Sequence, residues 1–455
     1  MKKLFYILFL ATILVSCKNE NKPMQNTNQP QVIVKEAITD EALENAVIYE
    51  ANIRQYSPEG TFKEFTKDIP QLKELGVKII WLMPIYPISS TKSKGSLGSY
   101  YAITDYTKVN PEFGNLNDVK ELVETAHENG IFVILDWVAN HTGWDHVWIK
   151  EHPEYYTKNE AGEITHPVGT DWTDVADLNY DNQEMRAVML EDMKYWLEEV
   201  DVDGFRCDVA GMVPVDFWEP TVAELKKVKP IFMLAEGWEP ELLKNAFDMG
   251  YNWDSHHKMN HIAQGKETVK GWNERMAQID TLYQNDDILM NFVTNHDENS
   301  WNGTVKERMG DASEVMMALT YCAPGMPLIY SGQEYDMNKR LLFFEKDTII
   351  KNKGKAWPLL VKLGELKNNN KALNGGKDAA SYTKINSSDN DKVLIFSREK
   401  EAKKITFMAN LSDKEVTFTC DKEGKSVDFF TDKTIEFSKQ KPLTFKPWEY
   451  KILID

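Results

Sequence analysis

From residue 46 onward the chain keeps one rhythm: short apolar runs of strand character alternate with amphipathic helical stretches. The runs are AVIYEANIRQY (Ala46 to Tyr56), VKIIWLMPIYP (Val77 to Pro87), IFVILDWVANH (Ile131 to His141), GFRCDVA (Gly204 to Ala210), IFMLAEGW (Ile231 to Trp238), AFDMGYNW (Ala246 to Trp253), ILMNFVTNHD (Ile288 to Asp297) and PLIYSGQE (Pro327 to Glu334). Between them lie patterns such as LNDVKELVETAHENG, which ends on Gly130, a residue suited to a helix C-cap. Near-continuous apolar strands alternating with helices predict a parallel sheet covered by helices on both faces. Eight such units predict an α/β fold, a closed (β/α)8 TIM barrel. An open doubly wound sheet is the alternative. No Gly-rich phosphate loop follows the first strand, which weighs against it.

The rhythm is interrupted in two places. The connection after the third strand, about residues 142–180, is long and rich in Trp, His, Tyr and Asp. Long loops at the C-terminal ends of barrel strands usually carry function. From about Ala379 the pattern changes to short alternating strands (SYTKI, KVLIFSRE, KITFMANL, EVTFTC, TIEF, LTFKPWEYKILI) separated by turns such as SSDND and DKEGK. This predicts a small antiparallel β-domain. The barrel is assigned residues 41–376 and the β-domain residues 377–455.

With 455 residues and 42% hydrophobic content, the chain can bury a barrel-sized core. The net charge of -18 argues against nucleic acid and phosphate-rich partners and suits a neutral ligand. Residues 1–17, MKKLFYILFLATILVSC, have a basic start and an apolar run too short to span a membrane comfortably. They end in LVSC, which looks like a bacterial lipobox with Cys17 as the lipidated residue; a plain secretory peptide or an interfacial anchor is the alternative. Residues 18–40 are polar, Asn/Gln/Pro-rich and aperiodic, and read as a flexible tether. Glu20, close behind Cys17, hints at display on the outer membrane or cell surface rather than a periplasm-facing anchor. Cys207, Cys322 and Cys420 are far apart in sequence and read as small buried apolar residues, not as a disulfide framework.

Charged and polar residues collect where the predicted strands end: Asp136 and His141 on the third, Arg206 and Asp208 on the fourth, Glu236 on the fifth, His296 and Asp297 on the seventh. A single such residue is often a structural ion pair. Strand C-termini of a barrel converge on one mouth, however, and several of them ending in acids, His and Arg at one level point to a site. Arg206 and Asp208, two apart, share one face of their strand.

These segments carry a resemblance. DWVANH, GFRCDVA, LAEGW and FVTNHD resemble, in order and spacing, the four conserved segments of the α-amylase family of glycoside hydrolases. GVKIIWLMP and GMPLIYSGQE are similar to its second and eighth barrel strands, SYYAITDYTKVNPEFG to its loop after the second strand, and VADLN to its insertion motif. The resemblance covers roughly residues 46–455. It implies a retaining enzyme, for which two carboxyl groups about 5 Å apart serve as nucleophile and acid/base. It implies Asp208 as nucleophile, Glu236 as acid/base and Asp297 as the third carboxylate. His141 and His296 match histidines that bond the reacting glucose. Tyr101, or Tyr100 in the alternative register, matches the aromatic that stacks on it. Trp238 is a candidate platform for the leaving sugar, and Asp136 a buttress for Arg206. The adjacent Arg206 is expected to keep Asp208 ionised, and the apolar neighbours Met233, Leu234, Ala235 and Trp238 to keep Glu236 protonated.

Many family members hold one Ca²⁺. Asn140 and Asp177 match its two side-chain ligands, and the carbonyl of Met212 is available as a third. The chain departs from the family here, with Gly211 and Met212 in place of Lys-His. No organic cofactor is implied, and the oligomeric state stays open. The implied activity is hydrolysis of α-1,4 links in starch, maltooligosaccharides or related α-glucans. A glucan transglycosylase or isomerase of the same family is the second reading. A non-catalytic glycan-binding surface lipoprotein is the third, and the complete set of carboxylates speaks against it.

Overall fold

The computed structural model describes residues 37–455; the leader, Cys17 and nearly all of the tether lie outside the described residues. Eight parallel strands close into a barrel. They are β1 (Val47–Ala51), β2 (Val77–Leu82), β3 (Phe132–Trp137), β4 (Gly204–Cys207), β5 (Phe232–Ala235), β6 (Met249–Tyr251), β7 (Ile288–Asn291) and β8 (Met326–Tyr330). Each pairs with its neighbour in sequence, and β8 closes the ring onto β1.

Alternation along the strands sorts the side chains. Ile48, Ile79, Ile134, Phe232, Leu234, Met290 and Leu328 fill the barrel interior. Val47, Tyr49, Ile80, Val133, Leu135, Phe205 and Met233 pack outward under the helices. Glu50, Trp81, Asp136 and Arg206 share the inward parity and sit one step nearer the C-terminal mouth. The lower barrel is therefore apolar and its upper end is charged. Gly204 opens β4 with φ +142°, and a Cβ there would lie 1.9 Å from the carbonyl oxygen of Phe232 on β5. Only glycine allows that close approach.

The expected strands exist, but they are shorter than the apolar runs. β1 stops at Ala51, and Asn52 caps a short helix, Ile53–Tyr56. β3 stops at Trp137, so His141 does not end it. His141 opens a separate strand, His141–Gly143, paired antiparallel with Val175–Asp177 in the insertion. β7 stops at Asn291, which leaves His296 and Asp297 on the loop beyond it. In each case the backbone turns once the chain clears the ring, because hydrogen-bonding partners on the adjacent strands end there.

The C-terminal β-domain is a six-stranded antiparallel sheet in the order Ser381–Lys384, Val393–Lys400, Lys403–Asn410, Tyr450–Ile454, Gly424–Asp428, Thr434–Phe437, beside a two-stranded pair, Val416–Phe418 with Leu443–Phe445. Gly424–Asp428 begins at the end of the turn DKEGK and is a strand the sequence reading did not name. Arg398, fully buried, ties this domain to the barrel by donating to the carbonyls of Cys322, Asn374, Ala380 and Ser381. Cys207, Cys322 and Cys420 are buried and free.

Candidate active site

One guanidinium organises the mouth of the barrel. Arg206, wholly buried on β4, directs Nη1 at Asp136 Oδ1 (2.8 Å) and Asp208 Oδ1 (3.1 Å), and Nη2 at Glu236 Oε2 (2.7 Å). Its Nε donates to the Tyr251 hydroxyl at 3.3 Å, and its charge lies 4.8 Å from the ring centre of Trp81. An isolated buried cation would be prohibitive, so the carboxylates that surround it are what makes its burial tolerable. Asp136 is also fully buried, and accepts from Trp81 Nε1 (3.2 Å) and the Tyr101 hydroxyl (3.1 Å). It braces Arg206 from behind.

Above this layer, Asp208, Glu236 and Asp297 face one cleft of about 610 Å³, together with Tyr101, His141 and His296. Val209, between the nucleophile candidate and the turn that follows, has φ +36°. That conformation is costly for a β-branched residue, and it aims the Val209 N–H at Glu236 Oε2, 2.8 Å away.

The charge states differ from the sequence expectation. Burial, and then the charge of Glu236, push Asp208 well above the usual carboxylate range against the pull of Arg206. Burial would raise Glu236 too, but Arg206 and the Val209 N–H outweigh it and hold Glu236 below its ordinary value. The two carboxyl groups act on each other, and the ionisation of one weighs on that of the other. Glu236 is not in apolar surroundings; it touches the guanidinium. Asp297 is the most open, its side chain 35% exposed. The enclosing cleft walls still raise it, against the charge of His296.

The two histidines are in opposite states. Burial pushes His141 down to about 4, so it is neutral. Asn140 Nδ2 donates to its Nδ1 (3.2 Å), which leaves the ring proton on Nε2. Burial would lower His296 as well, but Asp297 and Glu50 raise it to about 9. Its Nδ1 meets Glu50 Oε1 at 2.5 Å and its Nε2 meets the Tyr101 hydroxyl at 2.8 Å. Tyr101 lies 7% exposed in the cleft wall, stacked 6.3 Å from Phe343. Tyr100 turns away, its hydroxyl on Asn52 and its ring under Arg54. Trp238 is not among the residues that line the cleft; it stands 54% exposed beyond it, its carbonyl held by the Tyr283 hydroxyl.

Asn140 and Asp177 do not make a fitting Ca²⁺ site. Asp177 sits opposite His141 in the insertion hairpin, and burial raises its carboxyl. Asn140 Nδ2 donates to His141, which leaves Oδ1 as its one side-chain oxygen for an ion, and its carbonyl already accepts from the Leu178 N–H. One carboxylate and one amide are a thin set for an ion that takes six to eight oxygens, and among the described residues no three acidic, His or Cys side chains converge as a metal cluster.

Sequence reasoning missed several residues at the site. Glu50, 0% exposed on β1, was legible by the rule that found Arg206: a lone acid at the inward parity of an apolar strand. Trp172 and Asp174 come from the insertion, whose composition pointed to function without naming them. Trp301, Phe343 and Phe344, on the loops after β7 and β8, carry no sequence signal of their own.

Comparison with known proteins decides the family. The model of the α-amylase catalytic domain matches residues 24–402, and that of the maltogenic amylase C-terminal domain matches residues 383–452. The chain belongs to the α-amylase family. The fold is shared with a maltogenic α-amylase of Thermotoga neapolitana (30% identity, 91% of this chain and 99% of the other, TM-score 0.83) and an α-amylase of Lactobacillus plantarum (30% identity, 92% and 100%, TM-score 0.82). A 4-alpha-glucanotransferase of Thermotoga neapolitana is 31% identical over 61% of this chain and 68% of its own length. A cyclomaltodextrinase of Thermoanaerobacter pseudethanolicus is 28% identical over 78% of this chain, which spans 64% of that protein. This chain is thus an α-amylase-family glycosidase, with amylases, a cyclomaltodextrinase and a 4-alpha-glucanotransferase among its relatives.

Proposed function

We propose that the chain is a retaining α-glucan hydrolase in which Asp208 is the nucleophile and Glu236 the acid/base. The observation that carries this is the seating of both carboxylates on the two nitrogens of one guanidinium, with Asp208 3.1 Å and Glu236 2.7 Å from Arg206. The two carboxyl groups also interact directly with each other, which suits the short separation of a retaining pair. Asp208 attacks the anomeric carbon as Glu236 protonates the departing oxygen; the glycosyl-enzyme bond then forms, and Glu236 deprotonates the water that breaks it. This needs Glu236 protonated and Asp208 ionised with substrate bound; a sugar oxygen that draws Glu236 off Arg206 and the Val209 N–H raises its carboxyl toward the acid form. Asp297 and the protonated His296 grip hydroxyls of the reacting sugar, neutral His141 donates from Nε2, and Tyr101 supplies the stacking face. Trp238 lies on the leaving-group side.

The substrates are starch, maltooligosaccharides or related α-glucans. A transferase reading is supported by the glucanotransferase relatives, and differs only in whether water or a sugar hydroxyl takes the glycosyl group. Longer products from maltotriose alone would mark it. Export as a lipoprotein anchored through Cys17 fits an enzyme for external polysaccharide.

Asp208→Asn and Glu236→Gln are each expected to cut kcat at least about a thousandfold with the fold intact. Proton NMR at early times is expected to find the α-anomer first. Near wild-type turnover by Asp208→Asn, or initial β-anomer, would overturn the assignment.

A further inference from the structure

The loops around the mouth follow the strand order of the ring, so those after β7, β8, β2 and β3 occupy one half of it. These loops are laced together. Lys94, from the loop after β2, forms an ion pair with Asp174 of the insertion at 2.9 Å and donates to the carbonyl of Asp171 at 3.2 Å. Two residues on, the same loop is tied to the loop after β8: Ser96 donates its N–H to Glu345 Oε1 (2.8 Å) and its hydroxyl to the other carboxylate oxygen, and the Leu97 N–H donates to the Phe344 carbonyl (3.0 Å). At Gly95, φ +67°, a Cβ would lie 2.4 Å from Phe344 Cβ, so the loops touch backbone to side chain. Trp301, from the loop after β7, continues the wall by packing on Phe343 at 5.1 Å and Phe344 at 5.7 Å.

The other half of the ring is different. The segments after β4 and β5 are short, with the next α-helices beginning already at Val215 and Pro240. The chemistry assigns a direction to this asymmetry. Glu236, after β5, marks where the leaving group departs. Tyr101, His296 and Asp297, after β2 and β7, surround the sugar that becomes bonded to Asp208. The laced half therefore faces the glycone, and the rest of the glycone side of an α-1,4-glucan is its non-reducing end.

We propose that this laced wall closes the non-reducing side of the cleft and makes the enzyme exo-acting: it admits chains end first and releases a short product from their non-reducing ends. The inference rests on the retaining α-glucan reading above and adds the substrate's direction and the residues that set it, Lys94, Asp174, Ser96 and Glu345. A cleft of about 610 Å³ suits a short run of sugars rather than a polymer passing through.

The test uses two probes with the mature chain: nitrophenyl maltoheptaoside, and the same compound with its non-reducing glucose capped by an ethylidene acetal. Products are followed by chromatography. The capped compound is expected to be cleaved at least about tenfold more slowly, because the cap has nowhere to sit. The uncapped one is expected to lose a product of one length from its non-reducing end. Glu345 lies outside the cleft lining, and Glu345→Ala is expected to free the Ser96 segment and bring the two rates closer. Equal rates for the capped and uncapped compounds in the wild type overturn the proposal and leave the hydrolase reading standing. An unchanged ratio in Glu345→Ala removes the Ser96–Glu345 contact from the wall. If neither compound is cleaved, the α-glucan reading fails and the proposal with it.

Discussion

Glu50→Gln removes one charge from beneath the site and leaves nearly the same shape. Glu50 accepts the His296 Nδ1–H at 2.5 Å, and no part of it reaches solvent. His296 stands at about 9 instead of its ordinary 6.5, with burial working against the charged form and Asp297 and Glu50 working for it. At about 1.4 kcal/mol per pH unit, that preference for the imidazolium amounts to about 3 kcal/mol. Two carboxylates supply it. Glu50 is the fully buried one, so loss of its charge removes on the order of half, or about one pH unit. The sign follows from linkage: a raised histidine stabilises the folded, charged form fully below its unfolded value near 6.5, and the benefit is lost as pH rises through about 9. The protonated ring orients Tyr101 and sits 3.4 Å from Asp297, so its deprotonation should set an alkaline limit on activity. Profiles of kcat/KM from about pH 6 to about pH 10 are expected to show that limb near 9 in the wild type and about one pH unit lower in Glu50→Gln, with little change at neutral pH. Burial also raises Glu50 itself, so its ionised form costs some stability and Tm is the poorer readout. Superimposable alkaline limbs would refute the reasoning, because they would mean that His296 does not depend on Glu50 for its charge.

Gly204→Ala is expected to lower stability by about 3 kcal/mol or more, read as a fall in Tm, since the new Cβ meets the Phe232 carbonyl at 1.9 Å and the backbone lies at φ +142°. EDTA is expected to leave both Tm and activity unchanged, with no calcium in the purified protein by elemental analysis; a Tm that climbs with added Ca²⁺ would show that Asn140, Asp177 and neighbouring carbonyls do hold the ion. Cys17→Ser is expected to release the protein from the membrane fraction, and protease shaving of intact cells separates surface display from a periplasm-facing anchor.

The barrel was readable because each strand is an apolar run between helical patterns, eight in number, with no Gly-rich phosphate loop after the first to favour an open sheet. Where the runs overshoot, the reason is chemical. NIRQY, after β1, is wholly buried like the strand before it, yet Asn52 caps a helical turn there, its side chain accepting from Gln55 N–H. VANH, after β3, stays buried because the insertion folds over it, so hydrophobicity marks burial and not strand. The strand that follows the DKEGK turn went unread for the converse reason. Gly424–Asp428 is mostly polar, and it is held as a strand by pairing with Tyr450–Ile454 and Thr434–Phe437, partners that local pattern does not reveal.

The same distinction governs the site. Positions were legible; charge states were not. Along β5, Met233 and Ala235 face the helices while Leu234 faces the interior, so the apolar neighbours of Glu236 in sequence are not its neighbours in space. Its carboxylate instead meets a guanidinium from β4 and an N–H from the strained turn at Val209. Asp208 was expected to be ionised because Arg206 lies two residues away, but that guanidinium is divided among three carboxylates, Asp136, Asp208 and Glu236. Divided three ways, the cation favours each ionised carboxyl less than a private partner would, and burial carries Asp208 upward. Reading a buried site from sequence therefore requires counting charges across neighbouring strands, and in a barrel that count is fixed by the register between strands rather than by any one of them.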